Sequence, residues 1–508
     1  MENTLDTATP VALCQASLAR VPAHIARPNY DRTALTPGIV HIGLGNFHRA
    51  HQAWYLHQLM QQGQAQDWAI IGAGVRPYDS DMRDRLLLQD CLTTLIELSG
   101  EGVSAEIIGS MVDYLPIEEG NGPLIRQMAK PEIRIISLTV TESGYFRDTV
   151  HGGFDAAHPD ILHDIANPDR PRTVFGAIVA ALDLRFVSGI GPVTVMSCDN
   201  LVGNGAITRQ TVVGLARLIK PALADWIEAQ CSFPNSMVDC IVPATGPDEL
   251  AMARALGVSD RAVVTHENYR QWVLEDDFCA GRPAWEQAGA VLTPDVHAYE
   301  TMKIRILNAG HQVLANVGQL LSLDTIADCM ADPLVRAFFQ KVEQEEITPY
   351  VAAVPHMTPL AYADLIAARF SNPAIRDTTR RVAFDGSSRH PGFILPILQD
   401  ALQAKGSVSG LALVEALWAR MCAGIREDGT LIEDNDPNWQ QLSATAQASR
   451  AQPSVWLAQQ KIYGALGADT AFSAAFCHWL DMIWQEGVEA ALKHYLASAA
   501  DQTGQASQ

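Results

Sequence analysis

"GIVHIGLGNFHRAH", residues 38–51, decides how the first half of the chain is read. It opens as a short run of Ile and Val, passes through two glycines, Gly43 and Gly45, and leads into the helical stretch "HQAWYLHQLMQQG" (51–63). Three similar apolar runs follow: "WAIIGAGV" (68–75), "EIRIISLTV" (132–140) and "GPVTVMSCDN" (191–200). Each is short, rich in Ile and Val, and closed by glycine or polar residues, as expected of strands buried on both faces of a parallel sheet. Helical stretches such as "TVFGAIVAALDLRF" (173–186) lie between them. This alternation predicts a doubly wound α/β fold.

From Ala298 onward the pattern changes. "ETMKIRILNAGHQVLANVGQLLS", "SGLALVEALWARMCAGI" and "AAFCHWLDMIWQEGVEAALKHYLAS" have helical spacing, and strand-like runs are few. The expected architecture is an N-terminal Rossmann-like dinucleotide-binding domain over residues 1–292 and a mainly α-helical C-terminal domain over residues 293–508. The active site is expected in the cleft between them. The small polar ends, "MENTLDTATP" and "SAADQTGQASQ", are expected to fray.

Composition narrows the function classes. The formal net charge of −21 repels phosphate backbones and anionic membranes, so neither nucleic acid nor a membrane surface is an expected partner. The nine cysteines form no CxxC pair and carry no disulfide framework or zinc-ligand spacing, so no metal is expected. No basic segment followed by an apolar one opens the chain, and no stretch of about 20 apolar residues spans a bilayer. The cytoplasm is the expected location.

The turn "GLGNFHRAH" (43–51) supplies GxG without a third glycine; His48 holds the sixth place. Two glycines after a first strand permit a tight turn and close approach of a pyrophosphate, which the following helix N-terminus favours. Gly43, Gly45, Asn46 and Phe47 are the candidate cradle, with Arg49 adding charge. After the second strand comes "RPYDSD" (76–81), where an acidic residue would take the ribose hydroxyls and favour NAD over NADP. Asp79 is the candidate, ahead of Asp81; Arg76 would instead suit a 2′-phosphate.

"MKIRILNAGH" (302–311) places Lys303, Asn308 and His311 beside Ile304, Ile306, Leu307, Val313 and Leu314. On a helix Asn308 and His311 are i,i+3 neighbours and Lys303 lies on the adjoining strip. Hydride transfer from a carbinol needs a base for the hydroxyl proton and donors for the alkoxide that develops. A lysine whose pKa is depressed by burial serves as such a base, and Asn308 and His311 supply the hydrogen bonds.

Together with "SLTVTESGY", "SCDNLVGNG", "FPNSMVD", "QWVLEDDF" and "RFSNPAIRD…DGSSR", these motifs closely resemble the polyol-specific long-chain dehydrogenases, the mannitol 2-dehydrogenase family, over roughly residues 28–495. The resemblance implies an NAD-dependent, zinc-independent oxidation of a sugar alcohol to a ketose, mannitol to fructose first. It places the catalytic lysine on Lys303, the helix asparagine and histidine on Asn308 and His311, and a second oxyanion-binding asparagine on Asn200. A glutamate linked to proton exchange with solvent falls on Glu300. Substrate contacts fall on Val238 and Asp239 and, among the basic residues, on Arg381 and Arg389. A small polyol or ketose is the implied partner; a monomer or weak homo-oligomer is the expected state. The chain departs from the family pattern at Cys240, where arginine is common, and at Gly392 and Arg389, where lysine occurs.

Other readings stay open at this point. D-arabinitol or sorbitol would suit the same chemistry. A hexuronate reductase such as fructuronate reductase would use Arg381 or Arg389 for a carboxylate. "YETMK" (299–303) matches the Tyr-x3-Lys pair of short-chain dehydrogenases, but lies too far from the glycine turn. A non-catalytic NAD-binding protein is the reading from a different class.

Overall fold

A computed structural model of the protein describes residues 9–147 and 153–498. The polar ends expected to fray lie almost wholly outside this range. The chain divides into two compact units, Met1–His297 and Ala298–Gln508.

The first unit is built on a five-stranded sheet. Its strands are β1 (Pro37–Ile42), β2 (Ala69–Ala73), β3 (Met111–Tyr114), β4 (Ile135–Leu138) and β5 (Thr194–Ser197), in the spatial order β3-β2-β1-β4-β5. Every pair is parallel, and Ile39 stands opposite Ile70 on one side and Ile135 on the other. Ile39, Val40 and Ile42 are at most 1% exposed. Burying each contributes about 1.5–3 kcal/mol, which is why these strands read as continuous apolar runs. The chain steps outward from β1 to β2 and β3, then returns to the far side of β1 for β4. That reversal is the switch point at whose carboxyl-end crevice such sheets bind ligands.

The crossovers follow from local sequence. After β1 come α1 (Asn46–Ala50) and α2 (Gln52–Gln61), then α3 (Asp79–Leu87) after β2. Between β4 and β5 runs α4 (Val174–Ser188), apolar almost all round; Thr173 caps its start by accepting the N–H of Gly176, and Gly189 ends it with φ 65°. α5 (Asn204–Ile219) follows β5. Two three-stranded sheets stand beside the main one, and in one of them Ser236–Asp239 runs antiparallel to Gln271–Leu274. These small sheets and β3 escaped the sequence reading; in β3, "MVDY" carries a mid-strand aspartate that breaks the apolar run.

The second unit is helical, with no strand among its described residues. α6 (Val296–Met302) leads through Lys303–Asn308 into α7 (Ala309–Leu320), in which every residue except His311 is buried. Around α7 pack α8 (Thr379–Ala383), α9 (Gly386–Phe393) and α10 (Ser409–Met421). An amphipathic surface helix keeps a polar face; α7 keeps none, so it is the axis of this unit. Among the described residues no helix is long and apolar enough to cross a membrane.

The two glycines of the first turn are not equivalent. Gly43 has φ +94°, and a Cβ there would lie 2.0 Å from the carbonyl oxygen of Thr139. A Cβ on Gly45 would meet nothing within 4 Å. Gly43→Ala is therefore expected to lower unfolding stability by about 2–4 kcal/mol through left-handed strain and backbone overlap, whereas Gly45→Ala should fall within about 1 kcal/mol of the parent. Thermal and denaturant unfolding of the two variants checks this contrast.

Candidate active site

At the switch point the loops leaving β1, β4 and β5 are tied together by side chains. The Thr139 hydroxyl donates to the Gly43 carbonyl and also meets His41 Nε2 at 2.9 Å. Past β5, Asp199 accepts the N–H groups of Val140 and Thr141, both at 2.9 Å, and the hydroxyl of Tyr145 at 2.6 Å. Burial and the adjacent Asp199 carboxylate push the Tyr145 phenol well above its usual range, so it stays a donor. Asn200 follows directly and is exposed. Asn204 then joins this loop to the next strand: its amide donates to the Asp199 carbonyl at 3.1 Å and the Ser236 carbonyl at 2.8 Å, and accepts the Ser236 N–H at 2.9 Å. That strand ends in Val238 and Asp239, 4% and 6% exposed. The glycine turn, the Asn200 loop and the Val238–Asp239 strand are thus one braced assembly. Asp199 and Asn204, its braces, were not singled out from the sequence, although both lie in the "SCDNLVGNG" block.

Two of the expected cofactor residues, Arg49 and Asn46, brace the turn, and a third, Asp79, commits one carboxylate oxygen to its own loop. Arg49 was expected to offer charge to a pyrophosphate. Its guanidinium is instead fully buried, donating to the carbonyls of Gly45 and Ala262 and to Asn46 Oδ1, and burial lowers its pKa to about 10. It braces the turn from behind, because three acceptors inside the fold draw it inward. Asn46 completes the brace by donating to the Pro243 carbonyl at 3.0 Å and Thr245 Oγ1 at 2.9 Å. Asp79, the first residue of α3, accepts the N–H groups of Val75 and Arg76 with one carboxylate oxygen, at 3.1 and 2.9 Å. It closes the loop after β2 on itself. Phe47 is half-buried and stacks on His51 with ring centroids 4.8 Å apart. Gly45 is exposed, with open space where a side chain would stand.

In the second unit the helix carrying the lysine departs from the regular α form expected of it. Lys303–Asn308 is a π-helical turn. At about 100° per residue an α-helix would set Asn308 some 140° around the axis from Lys303. Bonding from i to i+5 adds a residue to the turn and brings residue 308 round towards the face of residue 303. Lys303 and Glu300 are 7% and 5% exposed, and Asn308 is half-buried. Arg305 points elsewhere, donating to the Tyr350 carbonyl at 2.7 Å and Asp400 at 2.6 Å.

His311 stacks on Phe370 with centroids 4.3 Å apart, and its Nε2 lies 3.5 Å from Asp377 Oδ2. The same carboxylate takes a two-pronged pair of hydrogen bonds from Arg381, Nε and Nη2 each at 2.7 Å. Burial raises the Asp377 pKa, while Arg381 and then Arg389 pull it down. Arg389 donates to the Val382 carbonyl at 2.6 Å, which also receives the amide of Gln312 from α7. His311, Arg381 and Arg389 are therefore brought to one place, with Asp377 linking two of them. Asp377 was missed in the sequence; its signal was the four-residue spacing to Arg381.

Behind Arg389 lies a buried polar chain. His390 Nδ1 meets Glu415 on α10 at 2.7 Å, and its Nε2 meets the amide of Asn316 on α7 at 3.1 Å. The Tyr463 hydroxyl donates to the other Glu415 oxygen at 2.7 Å. No group of three or more His, Cys, Asp or Glu among the described residues is placed to hold a metal ion.

Comparison with known proteins bears on both units. Residues 37–287 match the family model of the mannitol dehydrogenase Rossmann domain, and residues 295–484 that of the mannitol dehydrogenase C-terminal domain. The chain is 53% identical over 474 residues to a mannitol 2-dehydrogenase of Cereibacter sphaeroides, covering 93% of this chain and 99% of that protein. Among solved structures it is similar to Pseudomonas fluorescens mannitol 2-dehydrogenase in ternary complex with NAD and D-mannitol: TM-score 0.84, 40% identity, 96% of this chain and 99% of that one. A D-sorbitol dehydrogenase in substrate-free form matches at TM-score 0.87 and 34% identity, covering 94% of this chain and 100% of that one.

The buried chain behind Arg389 generates a prediction. His390→Leu leaves Asn316 and Glu415 without their shared partner inside the helical unit. A loss of about 2–3 kcal/mol is expected, read by denaturant unfolding, with Tyr463→Phe smaller because His390 still holds Glu415.

Proposed function

The chain belongs to the mannitol dehydrogenase family, and from that premise we propose that it catalyses the NAD-dependent oxidation of a sugar alcohol to a ketose, D-mannitol to D-fructose first. The observation that carries this reading is the buried Lys303 on a π-helical turn that sweeps Asn308 round to it. The open space at Gly45 and the close packing at Gly43 fit a dinucleotide, since a pyrophosphate needs backbone free of side chains. When bound, NAD supplies the acceptor for the hydride leaving the carbinol carbon.

The chain's own residues do the rest. Lys303 takes the hydroxyl proton as the hydride leaves. Asn308 and Asn200 donate to the oxygen as negative charge develops on it. His311, stacked on Phe370 with Asp377 3.5 Å away, hydrogen-bonds that oxygen or its neighbour. Glu300, three residues before Lys303, passes the proton on to solvent. Val238, Asp239, Arg381 and Arg389 meet the remaining hydroxyls. Gly43, Gly45 and Phe47 seat the pyrophosphate; Asn46 and Arg49 hold the turn in shape, and Asp79 serves the ribose side. The tight pairing of Arg381 with Asp377 supports a polyol over a hexuronate, because that guanidinium already has a carboxylate.

A sorbitol-oxidising reading is kept because a D-sorbitol dehydrogenase is among the similar structures. One kinetic panel separates these readings. With chelator present, the protein is offered mannitol, sorbitol, D-arabinitol and xylitol with NAD+ or NADP+, and fructose or fructuronate with NADH. Turnover of mannitol and fructose with NAD(H) is expected. Turnover of fructuronate alone would reassign the arginines, and silence on every substrate would leave a nucleotide-binding protein. Lys303→Ala is expected to lower kcat by roughly 10³-fold and Asn308→Ala by roughly 10²-fold, while Tyr299→Phe keeps near-normal turnover. Near-normal turnover of Lys303→Ala would overturn the mechanism.

A further inference from the structure

Arg381 and Arg389 both act on Asp377, the carboxylate 3.5 Å from His311, and two cations in a sugar-binding region are what a sugar acid would require. One buried group changes that balance. Asp377 is 6% exposed and lies between Arg381, which binds it through two nitrogens, and His311, 3.5 Å away on α7. Arg389, on the following helix, also acts on it electrostatically. With Asp377 ionised, two guanidiniums and one carboxylate leave a single positive charge on the cluster. Arg381 has its fork filled by a carboxylate in the geometry it would otherwise offer to a ligand. Its side chain is otherwise 62% exposed, so what holds it is this pair and not packing.

We propose that Asp377 is a specificity-determining residue: by filling the Arg381 fork and placing a carboxylate 3.5 Å from His311, it adapts this part of the helical unit to a neutral, hydroxyl-bearing sugar and against one that carries a carboxylate. This rests on the functional reading above, in which His311, Arg381 and Arg389 meet the sugar. The device works in both directions. An incoming carboxylate must displace Asp377 from Arg381 or sit beside its like charge, and either is unfavourable. A hydroxyl meets neither obstacle.

The test compares fructose and fructuronate, ketoses alike except for a carboxylate in place of the terminal hydroxymethyl group. NADH oxidation is followed with the full-length parent, Asp377→Asn and Arg381→Gln. Asp377→Asn keeps the shape of the side chain and removes its charge. For this variant the ratio of kcat/KM for fructuronate to that for fructose should rise by ~10-fold or more over the parent. The KM for fructuronate should fall, while that for fructose changes less. Arg381→Gln, which leaves Asp377 without its fork, should move the ratio the other way. An unchanged ratio in Asp377→Asn, with both activities lowered alike, would overturn the proposal and reduce the residue to a structural role. NADH binding and thermal unfolding establish that the variant is folded; if Asp377→Asn does not fold, the ratio in Arg381→Gln decides, and a rise there overturns the proposal. Absence of fructose turnover by the parent would instead overturn the functional reading, and this inference with it.

Discussion

The close approach of Gly43 to the Thr139 carbonyl is the constraint on which the first unit depends. The last turn of β1 must pass against the loop after β4, and no side chain fits between them. Because those strands flank the reversal in strand order, this contact sets the floor of the crevice where doubly wound sheets bind ligands. The surrounding polar groups all serve it. Thr139 donates to the Gly43 carbonyl, Asp199 collects the next two N–H groups, and Arg49 holds the far side through the Gly45 carbonyl. A buried arginine with three protein acceptors is costly to desolvate, and it is retained because its acceptors would otherwise be unsatisfied.

The second unit solves a different problem. It must hold several polar groups in fixed positions on a helix whose other residues are core. A regular α-helix cannot put residues five apart on one face, and a π-helical turn does. That turn costs packing regularity, and it is tied on both sides: Arg305 anchors it to Asp400 and Tyr350, and α7, which continues it, is buried at every residue but His311. Buried polar chains such as Asn316–His390–Glu415–Tyr463 lock helix against helix in a way that apolar contact alone would leave free to slide.

Much of this was legible in the residues. The four long apolar runs became β1, β2, β4 and β5, because full burial on both faces leaves an unbroken Ile/Val signature. β3 and the strand carrying Val238 and Asp239 were not visible, because each short run carries an aspartate and reads as mixed polar and apolar. The Lys303, Asn308 and His311 cluster stood out because charge beside an apolar helical face is unusual. Arg49 was misleading: a cation near a glycine turn reads the same whether it faces a phosphate or three carbonyls behind it. Asp377 and Asn204 were overlooked because their partners include residues far away in the chain.

What the sequence determined by itself was the α/β first half, the helical second half, the glycine turn and the lysine helix, together with the family to which they belong. Each is written in local order: periodicity, a turn residue, or a motif within ten residues. The tertiary structure alone decided which way Arg49 points, that the lysine helix widens into a π turn, and that Asp377 fills the fork of Arg381. These depend on hydrogen-bond partners and burial across segments distant in sequence, and no local pattern of residues encodes which of several possible partners a side chain meets when the chain folds.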